Sequence, residues 1–270
     1  MYESYWNLKE KPFKNTPDPA YLFKSKEHEE ALFKLLYAID EDMGCAVLSG
    51  IFGCGKTVIS QVLCKELASD RFQVAYINNP QLDYVDLLRS IVRRLKPIDL
   101  HANKSELSVD YLLQTLEGVL MNNVRDGKKT VILIDEAHII RDEALFESLR
   151  LLLNFQLNDR FMLTLVLLGQ PELRDNIKHN KQFEQRVAVM CHLEAFDYET
   201  TCLYLKHRLS VAGATREFFD ASGYKKIFEA TGGIPRRINR IADASLLVGC
   251  GKRVQQVTEA VVDEAVSMIS

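Results

Sequence analysis

Four short stretches of the chain are continuously apolar: residues 45–49, 74–78, 131–134 and 163–168. None alternates apolar with polar positions, which marks strands covered on both faces in a parallel sheet. A fifth candidate strand is Val187–Leu193. Between these runs the apolar positions shift to helical spacing. In residues 26–40, Ser25 is a ready N-cap with acids close behind, and Ala31, Leu32, Leu35, Leu36 and Ile39 form one stripe. Strands alternating with helices predict a three-layer α/β/α fold around a parallel sheet.

After about Asp197 the texture changes. Segments 198–213, 222–231, 235–249 and 258–269 all read as helices separated by Gly or Pro, with Thr258 as N-cap of the last, and no strand-like run interrupts them. The expected organisation is an α/β domain over residues 1–196 and a small all-α domain over 197–270. Residues 1–25, with Pro12-Phe13, Thr16-Pro17-Asp18-Pro19, Tyr21 and Phe23, read as an ordered but irregular arm at the front of the first domain.

Composition changes this picture little. Apolar residues make up 47% and charged residues 26%, as in an ordinary globular protein. A net charge of −3 excludes a global basic field for nucleic acid or an anionic membrane. The first residues are acidic and polar where a signal peptide needs a basic and then an apolar run, and no run of about 18 apolar residues occurs. The expected location is cytoplasmic, either at the inner membrane's periphery or as the cytoplasmic part of a longer membrane protein. The six cysteines form no C-x-x-C pair and read as reduced core residues. Cys54 is set apart by lying in a glycine-rich loop, where oxidation sensitivity is expected.

That loop carries the strongest chemical signal. Gly50, Ile51, Phe52, Gly53, Cys54, Gly55, Lys56 and Thr57 fit G-x-x-x-x-G-K-[ST] at every fixed position, with Val58 continuing into a helix. An apolar strand precedes the motif. Glycines let the backbone wrap closely around phosphates, and the amides and helix N-terminus supply positive potential. Lys56 can reach the terminal phosphates, and Thr57 can offer its hydroxyl oxygen to Mg²⁺. The expected ligands are therefore ATP and Mg²⁺.

The third apolar run ends in Asp135-Glu136. Two carboxylates at the end of a buried strand are costly unless a cation or a reaction uses them. Asp135 can hold Mg²⁺ through water, and Glu136 can orient the attacking water. The competing reading is a surface acid. Asp135-Glu136-Ala137-His138 also spells the box of a helicase class that needs two such domains, and this chain has room for one. Ala137 and His138 then read as helix-start residues, with a coupling role for His138 the lesser alternative. Gln170, after the fourth strand, is a candidate phosphate sensor, against a turn-capping loop glutamine. Arg186, before the fifth strand, can stabilise charge on a phosphoryl group held by a neighbouring subunit, against a plain surface arginine. Arg236 lies in the first turn of a helix, where the dipole favours an acid, so its presence suggests an anionic partner.

Taken together these residues resemble AAA+ ATPases, and within them the ExeA/GspA-like secretion ATPases, including the MSHA pilus-biogenesis ATPases. The likeness begins with Tyr5, Leu8, Lys11-Pro12-Phe13, Pro17-Asp18-Pro19, Leu22-Phe23, Ser25, His28 and Ala31-Leu32. It continues through Leu149-Arg150, Asn154-Phe155, Gly169-Gln170-Pro171-Glu172-Leu173 and Gln185-Arg186 to Gly233-Ile234-Pro235-Arg236-Arg237-Ile238-Asn239. The resemblance implies a strand order of 5-1-4-3-2 with a helical lid. It gives Gln170 the sensor 1 role, Arg186 the arginine-finger role acting in trans, and Arg236 the sensor 2 role. It also implies self-association as a dimer or ring, and a protein partner in an envelope secretion or pilus machine. Larger members continue into a transmembrane helix and a peptidoglycan-binding region, so this chain is expected to be a cytoplasmic fragment or a short, pilus-type relative.

Two other readings compete. A DNA-associated regulator of the transposition-ATPase type would use Arg93-Arg94-Lys96 and Arg236-Arg237-Arg240, which also read as solvated faces. A nucleotide switch that barely hydrolyses is the other, and Glu136 argues against it. For the adenine contacts the candidates are Phe13, Tyr21 and Leu22, for which a buried structural role is the equal alternative.

Overall fold

The computed structural model describes residues 2–16, 18–78, 80–96, 108–140 and 142–269; Pro17 of the opening run lies outside them. Its strands are β1 (Cys45–Gly50), β2 (Phe72–Ile77), β3 (Lys129–Ile134), β4 (Gln156–Leu157), β5 (Arg160–Phe161), β6 (Leu163–Gly169) and β7 (Val187–Leu193). Its helices are α1 (Glu3–Trp6), α2 (Lys26–Asp40), α3 (Lys56–Glu66), α4 (Tyr84–Leu95), α5 (Val109–Arg125) and α6 (Glu143–Leu152). They continue with α7 (Glu172–His179), α8 (Lys181–Glu184), α9 (Tyr198–Val211), α10 (Ala221–Thr231), α11 (Pro235–Lys252) and α12 (Glu259–Ile269).

The chain divides into two compact units. One holds Glu27–Gly50 and Ile59–Leu193; the other holds Met1–Lys26, Ile51–Val58 and Glu194–Ser270. This departs from a plain division into two consecutive segments, because the arm and the glycine-rich loop both fall with the C-terminal helices.

The first unit is built on a five-stranded sheet of order β2-β3-β6-β1-β7, with every neighbouring pair parallel. Counting its five strands along the chain and starting from β7, the order is 5-1-4-3-2, as the resemblance implied. The hairpin β4–β5, which the apolar pattern did not announce, is the difference. Asn158 and Asp159 turn it with φ of 50° and 62°, the conformation a two-residue hairpin turn requires. Strands β1 and β6 are buried along their whole length, which is why their sequences are continuously apolar. Leu88, Ile91, Leu116, Leu120, Ile132, Leu149 and Leu165 belong to one aliphatic core. Gly50 ends β1 because a Cβ there would lie 2.9 Å from the Leu193 carbonyl oxygen of β7.

The second unit has a different core. Tyr2, Trp6, Phe13 and Tyr21 from the arm share it with Phe196, Tyr204, Phe218, Phe219, Tyr224 and Ile238. Polar anchors fix the arm there. The Trp6 indole donates to the Leu246 carbonyl at 2.9 Å, and Tyr5 donates to that of Val254 at 2.8 Å. The buried Arg208 of α9 donates to the carbonyls of Pro12 (2.6 Å) and Lys14 (3.0 Å) and stacks over Tyr21 at 4.7 Å. Phe13 and Tyr21 are thus core residues, and Leu22 is half-buried. The four helices arise from local signals. Asp197 and Asp220 cap α9 and α10 by accepting from Thr200 and Gly223 amides at 2.7 Å each, Gly232 ends α10 with φ 60°, and Pro235 opens α11. A single parallel bridge between Phe219 and Val257 is the strand-like feature the sequence did not foreshadow.

Candidate active site

In the helical unit, the loop of residues 51–58 is shaped by glycine. Gly53 and Gly55 adopt φ of 89° and 96°, which L side chains rarely tolerate. A Cβ on Gly53 would also lie 2.8 Å from Cβ of Arg236. Turn bonds from Cys54 to the Ile51 carbonyl (3.3 Å) and from Val58 to that of Gly55 (3.0 Å) close the loop. Helix α3 starts at Lys56 with no acidic residue in its first turn, so no carboxylate of its own offsets the positive end of its dipole. Lys56 is buried and its ammonium donates to the Ile51 carbonyl at 3.1 Å, while Thr57 is exposed.

Arg236 belongs to the same unit. Its amide donates to the Gly53 carbonyl at 3.3 Å, and its guanidinium lies 4.7 Å from the centre of the exposed Phe52 ring. This puts a cation beside the glycine loop and in the first turn of α11. Cys54 corrects an expectation: it is fully buried, and burial pushes its thiol up to about 11, so it is not the exposed thiolate that oxidation requires. Cys45 and Cys191 are buried as well, and the six cysteines form no disulfide.

In the sheet unit, Asp135 directly follows β3 and is 4% exposed, so its carboxylate needs donors. Tyr76 of β2 donates to Oδ2 at 3.0 Å, Ser60 of α3 reaches the same oxygen at 3.4 Å, and the Glu136 amide donates to Oδ1 at 2.9 Å. Burial, with the Asp135 charge beside it, pushes the Tyr76 phenol up to about 12, so it stays a donor at neutral pH. Glu136 takes a left-handed backbone (φ 53°, ψ 32°), uncommon for a residue with a side chain. Its chain then enters a short 3-10 turn, Ala137–Ile139, instead of the longer helix start expected.

Gln170 follows β6, the strand beside β3, and its side-chain nitrogen lies 2.9 Å from Nε2 of His138. The other ring nitrogen of His138 is 3.3 Å from Oε2 of Glu136. Gly169 permits this approach, because a Cβ there would lie 2.9 Å from the His138 amide nitrogen. Asp135, Glu136 and Gln170 are therefore gathered at one end of the sheet. Arg186 is not among them: it precedes β7, at the opposite end of the parallel strands, and donates to Asn154 Oδ1 at 3.3 Å. Ser60 and Tyr76 were missed from the sequence, where a coupling role for His138 was only the lesser alternative. Ser60 had one usable signal, its place one helical turn after Thr57.

Among the described residues no group of three or more His, Cys, Asp or Glu side chains could hold a metal ion. A hydroxyl such as that of Thr57 and a carboxylate such as that of Asp135 are each donor types that Mg²⁺ accepts beside waters and phosphate oxygens. Arg93, Arg94 and Lys96 are exposed at the end of α4, as are Arg237 and Arg240 on α11. No helix among the described residues is long and apolar enough to cross a membrane.

The family described as AAA domain matches residues 39–177. The chain is 32% identical over its whole length to the General secretion pathway protein A of Aeromonas hydrophila, and spans about half (49%) of that protein. Its fold resembles the Aeropyrum pernix ORC2 protein, with TM-score 0.68 and 17% identity over 96% of this chain and 71% of that one. Drosophila ORC bound to DNA gives 0.70 and 18% over 97% and 65%, and the Thermotoga maritima RuvB branch migration motor gives 0.59 and 16% over 89% and 68%. At these identities the structural likenesses speak to the fold alone.

Proposed function

We propose that this chain, which belongs to the AAA domain family, binds and hydrolyses Mg-ATP and uses the turnover to assemble part of a bacterial envelope machine. The observation that carries the reading is the acidic pair: a buried Asp135 held by three donors, followed by a Glu136 bent into a left-handed conformation at the strand end. Such a costly arrangement is kept where chemistry uses it. Bound Mg-ATP would supply the phosphoanhydride to be cleaved and a cation that spreads its charge.

The chain's own residues divide the work. Gly50, Gly53, Gly55 and the first amides of α3 wrap the phosphates, and Lys56 places its ammonium on the terminal ones. Thr57 and Asp135 hold the metal ion, Asp135 through water. Glu136 accepts a hydrogen bond from the attacking water and points its lone pair toward phosphorus. Gln170 reads the terminal phosphate and Arg236 meets its negative charge. Arg186, at the far end of the strands from Glu136, acts on the nucleotide of a neighbouring copy, so turnover depends on self-association into a dimer or ring.

The whole-length likeness to General secretion pathway protein A supports a type II secretion or pilus machine as the client. The proposed location is cytoplasmic, at the inner membrane's periphery. The test is ATP turnover per subunit across a wide range of protein concentration, with and without duplex DNA. A rate per subunit that rises with concentration and ignores DNA is expected. A rate that is flat until DNA is added would replace this reading with the DNA-associated one.

A further inference from the structure

We infer that His138 is a positioning residue that ties Glu136 to Gln170, so that the group reading the phosphate controls the group that orients water. The inference rests on the hydrolytic reading above. Its observations all lie within the sheet unit. Gln170 sits at the end of β6 and its amide nitrogen is 2.9 Å from Nε2 of His138. An amide nitrogen only donates, so Nε2 must be the accepting nitrogen. A neutral imidazole carries one proton, which this bond places on Nδ1. Nδ1 is buried without a well-aligned hydrogen-bond partner, and the Glu136 carboxylate is 3.3 Å away. A buried donor in that position gains most by turning onto a carboxylate. The Glu136 side chain is 37% exposed, so it is free to make that turn.

The backbone leaves little slack elsewhere. The left-handed Glu136 is held by its amide bond to Asp135 and by its carbonyl, which accepts from Ile139 at 3.0 Å. Gly169 lets the end of β6 pack against the His138 amide. Gln170, the His138 ring and the Glu136 carboxylate are therefore movable groups on a fixed frame. While Gln170 donates to Nε2, the ring offers Nδ1–H to Glu136 and sets the direction of its carboxylate. If Gln170 lets go, the ring is free to adopt the other tautomer and Glu136 loses its guide.

The test combines kinetics with ring-nitrogen NMR on the full chain. His138→Ala should lower kcat about 10-fold with KM for ATP unchanged, and His138→Asn, which keeps a donor near Nδ1, should recover most of the loss. In a Gln170→Ala background, His138→Ala should change kcat by less than about 2-fold. Independent losses that multiply, or a His138→Ala enzyme with normal kcat, would overturn the coupling. At about pH 8, where imidazole is neutral, the His138 ring should carry its proton on Nδ1 and move it to Nε2 in Gln170→Ala. A wild-type ring protonated on Nε2, or one indifferent to Gln170→Ala, would overturn it whether or not the protein turns over. Absence of wild-type turnover with the expected tautomers would instead count against hydrolysis while leaving the tie between the two side chains standing.

Discussion

The two compact units are stabilised by different kinds of core. The sheet unit is aliphatic, filled by Leu, Ile and Val from strands and helices that follow one another along the chain. The helical unit is aromatic and draws on both ends of the chain: the Trp6 indole bonds to Leu246 and the Arg208 guanidinium to Pro12. The segments of the first are readable from short-range patterns, although its sheet still joins distant strands, as where Cys45 of β1 lies beside Leu165 of β6. The second exists only when an irregular arm finds helices about two hundred residues away, which demands directional polar contacts as well as apolar area. This explains why the arm is rich in aromatics.

The comparison can be broken from either side. Trp6→Ala should cost about 3–5 kcal/mol and expose the amides of α9–α12 to hydrogen exchange while those of β1, β3 and β6 stay protected. Leu167→Ala, fully buried in the aliphatic core, should cost about 2–5 kcal/mol and show the opposite pattern. Coincident deprotection of both sets in either variant would mean that the two cores unfold as one.

The residues of the proposed chemistry also fall in both units. Glu136→Gln in the sheet unit should lower turnover by about 100-fold or more and leave ATP affinity, read by equilibrium titration, unchanged. Lys56→Ala in the loop should weaken ATP binding about 10-fold or more through loss of a charge-assisted bond; unchanged affinity would remove Lys56 from the phosphate site. The smallest effect concerns acid. The Thr200 amide bonded to Asp197 holds that carboxyl below its ordinary range. Its stabilising contribution is therefore full above the unfolded value and fades as pH falls through the folded one. Asp197→Asn should flatten the acid limb of helical-unit unfolding, measured by denaturant titration between about pH 5 and pH 2.

Much of this was legible in one sequence. The fifth strand matches its expected bounds, Val187–Leu193, and the four C-terminal helices lie close to where Gly and Pro punctuation put them. The glycine-rich loop and the acidic strand end were readable because backbone clearance and charge burial restrict which residue types can stand there. Cys54 misled because its neighbours in the loop said nothing of its burial. The hairpin at Asn158-Asp159 went unseen because its strands are two residues long, too short for any period.

What the sequence by itself determined is local: which segments are strand or helix, where the backbone must turn left-handed, and which carboxylates end a buried strand. These follow from sterics and from periodicity over a few residues. Tertiary structure alone decided that the arm belongs to the helical core, that Ser60 and Tyr76 hold Asp135, and that His138 stands between Gln170 and Glu136. Those pairs are separated by tens to hundreds of residues, and only the register of a folded sheet and the packing of helices bring such distant side chains within hydrogen-bonding range.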